Sequence, residues 1–335
     1  MSAYSRGRDE SQDRAEFGHG LAAGGRRCGI LPKGTTCDDA AGVPPKGEAS
    51  VKIQRIGVVG GGLMGSGIAE VCARSGLDVV VAEADDAAAA AARGRIEKSL
   101  ARGVDKGKLT ADEATAALAA LTVVASLDGL ADRQWVIEAA TENEPVKLGL
   151  FGKLDALVSD PEAILASNTS SIPIARLAAA TGRPDRVVGM HFFNPATVQK
   201  LVEIIPSQLT SEATVAAVTE LATATLGKTV IRAKDRAGFV VNALLIPYLL
   251  AAIRMVEAGH ATAEDIDTGM TLGCAHPMGP LALTDLVGLD TTLAVAESLH
   301  AEYAEPHYAP PPLLRRMVES GMLGRKSGRG FYDYS

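Results

Sequence analysis

A histidine and a glutamate near the middle of the chain have the side chains and spacing of a proton-transfer pair. His191 follows an extended run at residues 187–190, and Glu203 lies in a second extended run at 198–205. If the two runs fold back on each other around residue 197, His191 faces Glu203, whose carboxylate can fix the imidazole tautomer and stabilise the imidazolium. A lone histidine is more often structural, but this pairing favours a general base that removes a hydroxyl proton.

Three glycines have the spacing of a dinucleotide-binding turn. Gly60, Gly62 and Gly65 form a GxGxxG pattern that follows a β-branched run and opens a helical pattern. Gly60 allows a tight turn, Gly62 lets the backbone approach a pyrophosphate, and Gly65 lets the helix pack close to the strand. The first helical turn, with Leu63 and Met64, offers free N–H groups to the phosphates. A glycine-rich turn without a ligand is the alternative for this motif.

Glu83 indicates which dinucleotide binds. It lies 23 residues after Gly60, at the end of the second predicted strand. A carboxylate there can bind the adenosine ribose hydroxyls and repel a 2′-phosphate. Residues 79–92 contain no Lys or Arg that would attract such a phosphate. We therefore expect NAD and not NADP, with a chance surface glutamate as the alternative.

The alternation of strands and helices predicts an α/β fold. We expect a Rossmann-type, doubly wound parallel sheet followed by an all-helical C-terminal domain. The predicted strands cover residues 52–59, 78–82, 135–139, 163–166, 186–190 and 198–205. The predicted helices cover 63–75, one or two within 87–121, the connections between the strands at 135–139, 163–166 and 186–190, and then 238–258, 263–272, 280–289 and 312–320. This pattern divides the chain into an NAD-binding domain at residues 51–234 and a helical substrate and dimerisation domain at 235–335.

Residues 1–50 differ from the rest of the chain. They contain nine Gly and three Pro and have no periodic apolar face, so we expect a disordered tail. Arg26 and Arg27 offer a binding element, and Cys28 and Cys37 a redox clip, as alternatives. A misassigned start codon is a further one.

The composition limits the partners of the protein. The 335 residues carry a net charge of −7 and are 47% hydrophobic, which argues against binding to nucleic acid or to an anionic membrane surface. The longest apolar stretch, residues 240–253, is too short to span a bilayer. The four cysteines have no metal-ligand spacing. We expect no metal and, without a signal-peptide pattern, a cytoplasmic location.

Two sequence runs resemble the signature of a known family. HFFNPATVQKLVEII (residues 191–205) and SNTSS (residues 167–171) are similar to the 3-hydroxyacyl-CoA dehydrogenase family, especially to its bacterial 3-hydroxybutyryl-CoA members. The resemblance extends over residues 53–334 and includes GVVGGGLMGSGIA, VIEAATENEPVKLGLFGKLD, GFVVNALLIPYL, GCAHPMGPLALTDLVGLD and GRKSGRGFYDY. It implies reversible hydride transfer between NAD and an (S)-3-hydroxyacyl-CoA, with acetoacetyl-CoA as the expected oxidised product.

The resemblance also implies roles at the reacting centre. His191 matches the catalytic base of the family, and Glu203 matches its orienting partner. Ser170 and Asn242 match residues at the reacting end of the substrate, where a hydroxyl and an amide would bind the 3-oxygen or the thioester carbonyl. The simpler alternatives are that Ser170 caps a helix beginning near Ile172, and that Asn242 forms a hydrogen bond within its own helix.

Other matched positions concern the cofactor. Asn194 matches a residue beside the nicotinamide, and Ser170 also matches a cofactor-binding position. Glu142 and Lys147 match NAD contacts, and Lys326 matches a lysine that reaches the cofactor from the C-terminal segment. Otherwise we would expect Lys147 and Lys326 to be solvated surface lysines, and Glu142 to pair with a neighbouring lysine.

Two further matches lie near the CoA end of the substrate, and two positions depart from the family. Ser99 and Lys106 align with residues near CoA, whose phosphates suit a basic side chain at Lys106. Many family members have Pro where this chain has Ala237, and Arg where it has Ala243. We expect the first change to loosen the hinge before the second domain, and the second to remove a charge near the cleft.

Three other functions remain open. A related dehydrogenase of a free hydroxy or sugar acid, such as gulonate, would need a carboxylate-binding arginine in the cleft, and no obvious candidate accompanies Ser170 or Asn242. A non-catalytic structural relative would have lost its base, and an NAD-sensing module would bind without turnover. We expect an enzyme with an acyl-CoA substrate, which forms a homodimer through its helical domain.

Overall fold

A computed structural model describes residues 53–335. The tail predicted for residues 1–50, with Arg26, Arg27, Cys28 and Cys37, lies outside the described residues and stays a prediction. Within residues 53–335 the strands and helices alternate up to residue 232, and the longer elements from residue 241 onward are helices.

An eight-stranded sheet forms the first part of the described chain. Its strands are β1 (Arg55–Val59), β2 (Asp78–Ala82), β3 (Leu121–Val124), β4 (Trp135–Glu138), β5 (Ile164–Ser167), β6 (Val187–Phe192), β7 (Leu201–Pro206) and β8 (Thr229–Arg232). They lie in the order β3-β2-β1-β4-β5-β6-β7-β8, and all neighbours are parallel except β6 and β7. The predicted Rossmann-type sheet is confirmed. Ligands of such sheets bind outside the carboxyl ends of the strands, where the strand order reverses between β1 and β4.

Helices cover both faces of this sheet. They are α1 (Leu63–Arg74), α2 (Asp86–Asp105), α3 (Ala111–Ala119), α4 (Glu144–Leu157), α5 (Ile174–Ala179) and α6 (Glu212–Glu220). One apolar cluster packs Ile68 of α1 against the sheet, and the other packs Phe151 and Leu154 of α4 against its opposite face. Because both faces are covered, β4 and β5 are buried along their whole length.

The second part is a group of packed helices, as predicted. They are α7 (Val241–Glu257), α8 (Ala263–Gly273), α9 (Pro280–Val287), α10 (Leu289–Tyr303) and α11 (Pro312–Glu319). Their core contains Leu250, Ile253, Leu281, Leu299 and Leu314, each fully buried. No helix within residues 53–335 combines the length and apolar character needed to cross a bilayer.

Four elements were missed by the sequence patterns, and one of them is α6, since no helix was predicted between residues 205 and 238. Strand β3 has only four residues and directly follows the Ala-rich α3, so its signal is hidden by that helix. Strand β8 is a short edge strand whose residues are at most partly buried, which removes the apolar run of a buried strand. Helix α10 begins at Gly288 without a side-chain cap, directly after α9, and therefore lacks a start signal.

The chain between the sheet and the helices is tied to both. Asp235 accepts hydrogen bonds from the N–H groups of Ile174 and Ala175 at 2.7 and 2.8 Å, and burial raises the pKa of this carboxyl group. The N–H of Ala237 donates to Glu302 at 2.8 Å, a bond that a proline could not make. This N–H fastens the chain to α10, and the expectation that Ala237 loosens the hinge stays a prediction.

Candidate active site

His191 and Glu203 are paired across the antiparallel hairpin. The β6–β7 register places the two residues directly opposite each other, and Nδ1 of His191 lies 2.8 Å from Oε2 of Glu203. Both side chains are enclosed, with 9% and 0% of their surface exposed. The predicted juxtaposition is confirmed because the turn between the strands is centred near residue 197, as the spacing required.

The second oxygen of Glu203 is bound by the helical part of the chain. Its Oε1 accepts hydrogen bonds from the N–H groups of Val240 and Val241 at 3.1 and 3.0 Å. Phe239 has a φ of 48° and Gly238 a φ of 74°, and this left-handed turn directs the first N–H groups of α7 towards the carboxylate. Helix α7 has no side-chain cap of its own, so Glu203 takes that place.

These contacts determine which nitrogen of His191 carries the proton in the neutral ring. A carboxylate only accepts hydrogen bonds, so Nδ1 donates to Glu203 and Nε2 is left as the acceptor. Nε2 forms no hydrogen bond with any described residue. The rings of Phe193 and Phe239 lie 4.6 and 5.7 Å from the imidazole, measured between ring centroids. The arrangement leaves Nε2 as a free acceptor in a partly apolar setting, which is what a general base requires.

Ser170 lies on the loop that follows β5, the strand next to β6. One oxygen of Glu142 accepts hydrogen bonds from the backbone N–H of Ser170 at 2.8 Å and from its hydroxyl at 3.1 Å. The alternative that Ser170 caps a helix beginning near Ile172 is wrong, because α5 begins at Ile174 without a side-chain cap and the Thr169 hydroxyl accepts the N–H of Ile172 at 2.9 Å. Ser170 is partly exposed, and its side chain is held by a carboxylate.

Asn168 joins this loop to the histidine strand, a contact that the sequence did not reveal. Its Oδ1 accepts a hydrogen bond from the N–H of Phe192, the residue after His191, at 2.8 Å. Ser167 of β5 also pairs with Gly189 of β6 in the sheet register. The loop with Ser170 and the end of β6 are therefore held side by side at the carboxyl edge.

Lys147 is enclosed beneath this loop, contrary to the surface alternative. Only 1% of its side chain is exposed, and its ammonium group bonds Glu138, whose side chain is 0% exposed. The same ammonium lies 3.7 Å from Oε2 of Glu142, so the pairing of Glu142 with a lysine is confirmed. Glu138 was missed, although a carboxylate at the end of a buried strand, nine residues before a lysine, was a signal that could have found it.

Asn242 and Asn194 flank the pair from two segments. Asn242 is the second residue of α7, directly after the two N–H groups that bind Glu203, and it is partly buried. Asn194 is exposed in the turn that follows β6. The fold brings both residues near the hairpin, and their contacts with substrate and cofactor stay predictions.

The glycine-rich turn has two distinct constraints. Gly60 has a φ of 84°, and a side chain on Gly65 would place its Cβ 1.7 Å from the carbonyl oxygen of Gly60. A Cβ on Gly62 would meet nothing within 4 Å. Gly65 is thus required by the protein itself, whereas the space at Gly62 is open for a ligand. The first turn of α1 contains no acidic residue, which suits a pyrophosphate.

Glu83 reaches the same turn, together with an arginine that the sequence window missed. The N–H of Gly61 donates to Glu83 at 2.7 Å, and Nε of Arg95 donates to the carbonyl of Gly61 at 2.9 Å. A cation therefore lies at the turn even though residues 79–92 contain none. The role of Glu83 at the adenosine ribose stays a prediction.

The remaining predicted positions lie on other elements. Lys326 pairs with Asp290 at 2.5 Å, and about half of its side chain is exposed. Ser99 and Lys106 lie two helical turns apart on one face of α2, Lys106 at its end. None of the three contacts His191 or Glu203, and their roles stay predictions. Among residues 53–335, no cluster of His, Cys, Asp and Glu side chains is arranged to hold a metal ion.

Two family models match the chain in succession. The NAD binding domain of 3-hydroxyacyl-CoA dehydrogenase matches residues 55–236, and the C-terminal domain of 3-hydroxyacyl-CoA dehydrogenase matches residues 238–334. The chain belongs to the 3-hydroxyacyl-CoA dehydrogenase family. Membership confirms the predicted family, the oxidoreductase class and NAD as the cofactor.

Individual members of the 3-hydroxyacyl-CoA dehydrogenase family are similar over nearly their whole length. The chain is 59% identical over 282 residues to the 3-hydroxybutyryl-CoA dehydrogenase of Mycobacterium tuberculosis, which covers 84% of this chain and 99% of the relative. It is 42% identical over 291 residues to human mitochondrial hydroxyacyl-coenzyme A dehydrogenase, covering 84% and 91%. The crystal structure of (S)-3-hydroxybutyryl-CoA dehydrogenase PaaH1 from Ralstonia eutropha matches with a TM-score of 0.79 and 49% identity, covering 84% and 99%.

Alanine at two glycines of this dehydrogenase should separate cofactor binding from folding. Gly62→Ala should leave the melting temperature unchanged and raise the KM for NADH by about 10-fold, because overpacking against a phosphate costs on the order of 1–3 kcal/mol. Gly65→Ala should lower the free energy of unfolding by at least about 1–3 kcal/mol through its clash with Gly60. Thermal melts and NADH titrations measure both. A Gly62→Ala protein with normal NADH affinity would contradict this use of the open space.

Proposed function

We propose that the protein catalyses the reversible, NAD-dependent oxidation of (S)-3-hydroxyacyl-CoA, with 3-hydroxybutyryl-CoA and acetoacetyl-CoA as the preferred pair. The observation that carries the proposal is the contact of 2.8 Å between His191 and Glu203 at the carboxyl edge of a Rossmann-type sheet. The named substrates of the similar proteins support the acyl-CoA class and the short chain.

The proposed chemistry needs a proton acceptor beside the hydroxyl carbon. In the oxidative direction, Nε2 of His191 takes the proton of the 3-hydroxyl group. Glu203 keeps Nδ1 protonated and stabilises the positive charge that then forms on the ring. NAD, when bound, supplies the acceptor for the hydride that leaves carbon 3. In the reverse direction the imidazolium returns its proton to the 3-oxygen.

Two neutral side chains complete the proposed site. Ser170 lies on the loop after β5 and Asn242 in the first turn of α7, and we assign their hydroxyl and amide to the 3-oxygen and the thioester carbonyl. Both groups can donate a hydrogen bond to an oxygen that gains negative charge during reduction. Their origin on two separate elements means that the sheet and the helices must both be in place for the substrate to be held.

We assign further residues to the cofactor and to the CoA part of the substrate. The open space at Gly62 and the N–H groups of Leu63 and Met64 suit the pyrophosphate. Glu83 suits the adenosine ribose, and we assign Asn194 to the nicotinamide. On the CoA side, Ser99 and Lys106 on α2 are the proposed contacts, and Lys326 is a proposed contact of the C-terminal segment with the cofactor.

A spectrophotometric assay tests the reaction. At neutral pH, NADH absorbance should fall rapidly with acetoacetyl-CoA, whereas gulonate with NAD should give no NADH. His191→Ala should lower kcat on the order of 100-fold or more, the contribution of a general base. His260→Ala, a change at an exposed histidine, is the matched control and should retain activity.

Each other function has a distinct outcome in this assay. Turnover of gulonate would indicate a dehydrogenase of free hydroxy acids. NADH binding without any turnover by the unmodified protein would indicate a sensing module or a non-catalytic relative. Full activity in His191→Ala would remove the base assignment while leaving the substrate class intact.

Glu203→Gln tests the orientation of the ring. The amide oxygen can still accept from Val240 and Val241, but the amide nitrogen would then donate to Nδ1 of His191 and move the ring proton to Nε2. We expect kcat to fall by about 100-fold or more because the base is blocked, with a small change in melting temperature. Steady-state kinetics measure kcat, and a thermal melt measures the melting temperature. A variant that unfolds while its residual folded fraction keeps full kcat would assign Glu203 to the helix cap alone.

We also propose a homodimer built on the outer face of α7. Leu244 is 73% exposed and Leu272 82% exposed. A cleft of about 600 Å³ beside Leu244 is lined by Val240, Val241, Leu244, Leu245, Tyr248, His276, Pro277, Met278 and Leu283. An apolar face that offers both a cleft and projecting leucines suits a self-complementary, two-fold contact.

A cytoplasmic location stays a prediction.

Leu244→Glu should weaken this dimer. A buried charge at the centre of an apolar contact should raise the dissociation constant by at least about 100-fold, which light scattering during gel filtration measures. Leu209→Glu, at a leucine that is 46% exposed on the sheet domain, is the control and should leave the mass unchanged. A monomeric unmodified protein, or a Leu244→Glu dimer, would contradict the proposal.

A further inference from the structure

A buried ion pair lies directly beneath the loop that carries Ser170. Glu138 ends β4 with 0% of its side chain exposed, and Lys147 in the first turns of α4 has 1% exposed. Ser167, also 0% exposed, donates its hydroxyl to Glu138 at 2.9 Å. The two charges are enclosed by protein and lie outside the set of groups that the proposed reaction uses.

Such a pair is costly if stability is its only purpose. Two enclosed charges lose their hydration, and replacing a buried pair with neutral groups of similar size is often neutral or stabilising. A half-buried surface lysine would have cost the protein less. The burial of Glu138 and Lys147 therefore suggests that the pair serves to hold neighbouring groups in position.

Both charges act on the same short loop, residues 167–171. From Glu138 the path runs through the Ser167 hydroxyl, which accepts the N–H of Thr169 at 3.2 Å. From Lys147 it runs through Glu142, 3.7 Å away. Glu142 in turn accepts the hydroxyl of Thr169 at 2.7 Å, and both the N–H and the hydroxyl of Ser170.

Glu142 needs an anchor to do this. Its side chain is 39% exposed, and one of its oxygens collects several donors of the loop. Without a cation behind it, a partly exposed glutamate would exchange these contacts for water. Lys147 supplies that cation from the protein interior, and Glu138 keeps Lys147 in place.

We propose that Glu138 and Lys147 are a positioning pair that fixes the Ser170 hydroxyl through the loop at residues 167–171. The inference rests on the proposed function, in which Ser170 binds the reacting end of the substrate. It differs from a direct contact of Lys147 with the cofactor. A positioning role changes kcat, whereas a lost cofactor contact changes the KM for NADH.

The deciding variant is the double substitution Glu138→Gln with Lys147→Met. It removes both charges at nearly constant volume, so no unpaired charge stays buried. We expect the melting temperature of this double variant to lie within about 3 °C of that of the unmodified enzyme. We expect kcat with acetoacetyl-CoA to stay reduced by about 10- to 100-fold, since small misplacements of a binding group have effects of that size. The KM for NADH should change little.

A cycle with Ser170 tests whether the effect passes through this residue. In a Ser170→Ala background, adding the Glu138/Lys147 double substitution should lower kcat by less than about 2-fold, because residues that act through one group are not additive. Asp155→Asn is the control. It removes the ion pair with Arg183 at the other end of α4, and it should lower the melting temperature without changing kcat.

The outcomes are separable from those of the proposed function. No turnover of acetoacetyl-CoA by the unmodified protein would overturn the function itself. Full kcat in a stable double variant, or additive effects with Ser170→Ala, would overturn only the positioning role. A rise confined to the KM for NADH would assign Lys147 to the cofactor and also overturn it.

A milder variant covers the case in which the double variant does not fold. Ser167→Ala leaves the ion pair intact and removes only the hydroxyl between Glu138 and the loop. It should lower kcat by about 5-fold, the worth of one hydrogen bond of about 1 kcal/mol. Unchanged kcat in this folded variant would contradict the proposal.

Discussion

The carboxylate of Glu203 is the interaction on which the site depends. It is fully buried, and its two oxygens serve two different parts of the chain: His191 on the sheet and the first N–H groups of α7. An enclosed carboxylate without such partners would be strongly unfavourable. The histidine and the first N–H groups of α7 therefore supply the hydrogen bonds that the buried glutamate needs. In turn, the glutamate orients the histidine ring and caps the helix.

This shared carboxylate makes the site a product of both parts of the molecule. Helix α7 brings Asn242 to the hairpin because its first turn is held at Glu203, and Ala237 and Asp235 fasten the chain just before it. A rigid separation of the sheet and the helices at this point would strip two hydrogen bonds from a buried charge. Substrate access must then use motions that leave the start of α7 in place.

Local patterns predicted the parts of the site that lie close together along the chain. The hairpin between His191 and Glu203 follows from two extended runs and a short turn, and the role of Gly65 follows from its place between a strand and a helix. Glu138, Asn168 and the capping of α7 by Glu203 were missed. Their contacts join segments far apart in sequence, and no local periodicity reports them. The alternative that Lys147 is a solvated surface lysine failed for the same reason. Its burial depends on a strand that precedes it in the sequence and on a loop that follows it.

The double duty of Glu203 has a consequence for how such proteins change over evolutionary time. The start of α7 depends on the glutamate through two hydrogen bonds, whereas the histidine supplies one hydrogen bond to it and the basic nitrogen that the proposed chemistry needs. A descendant that abandoned turnover would be free to lose the imidazole long before the carboxylate. Retention of the acid alone is then a marker of ancestry, and only the ring opposite it distinguishes a working enzyme from a silent copy.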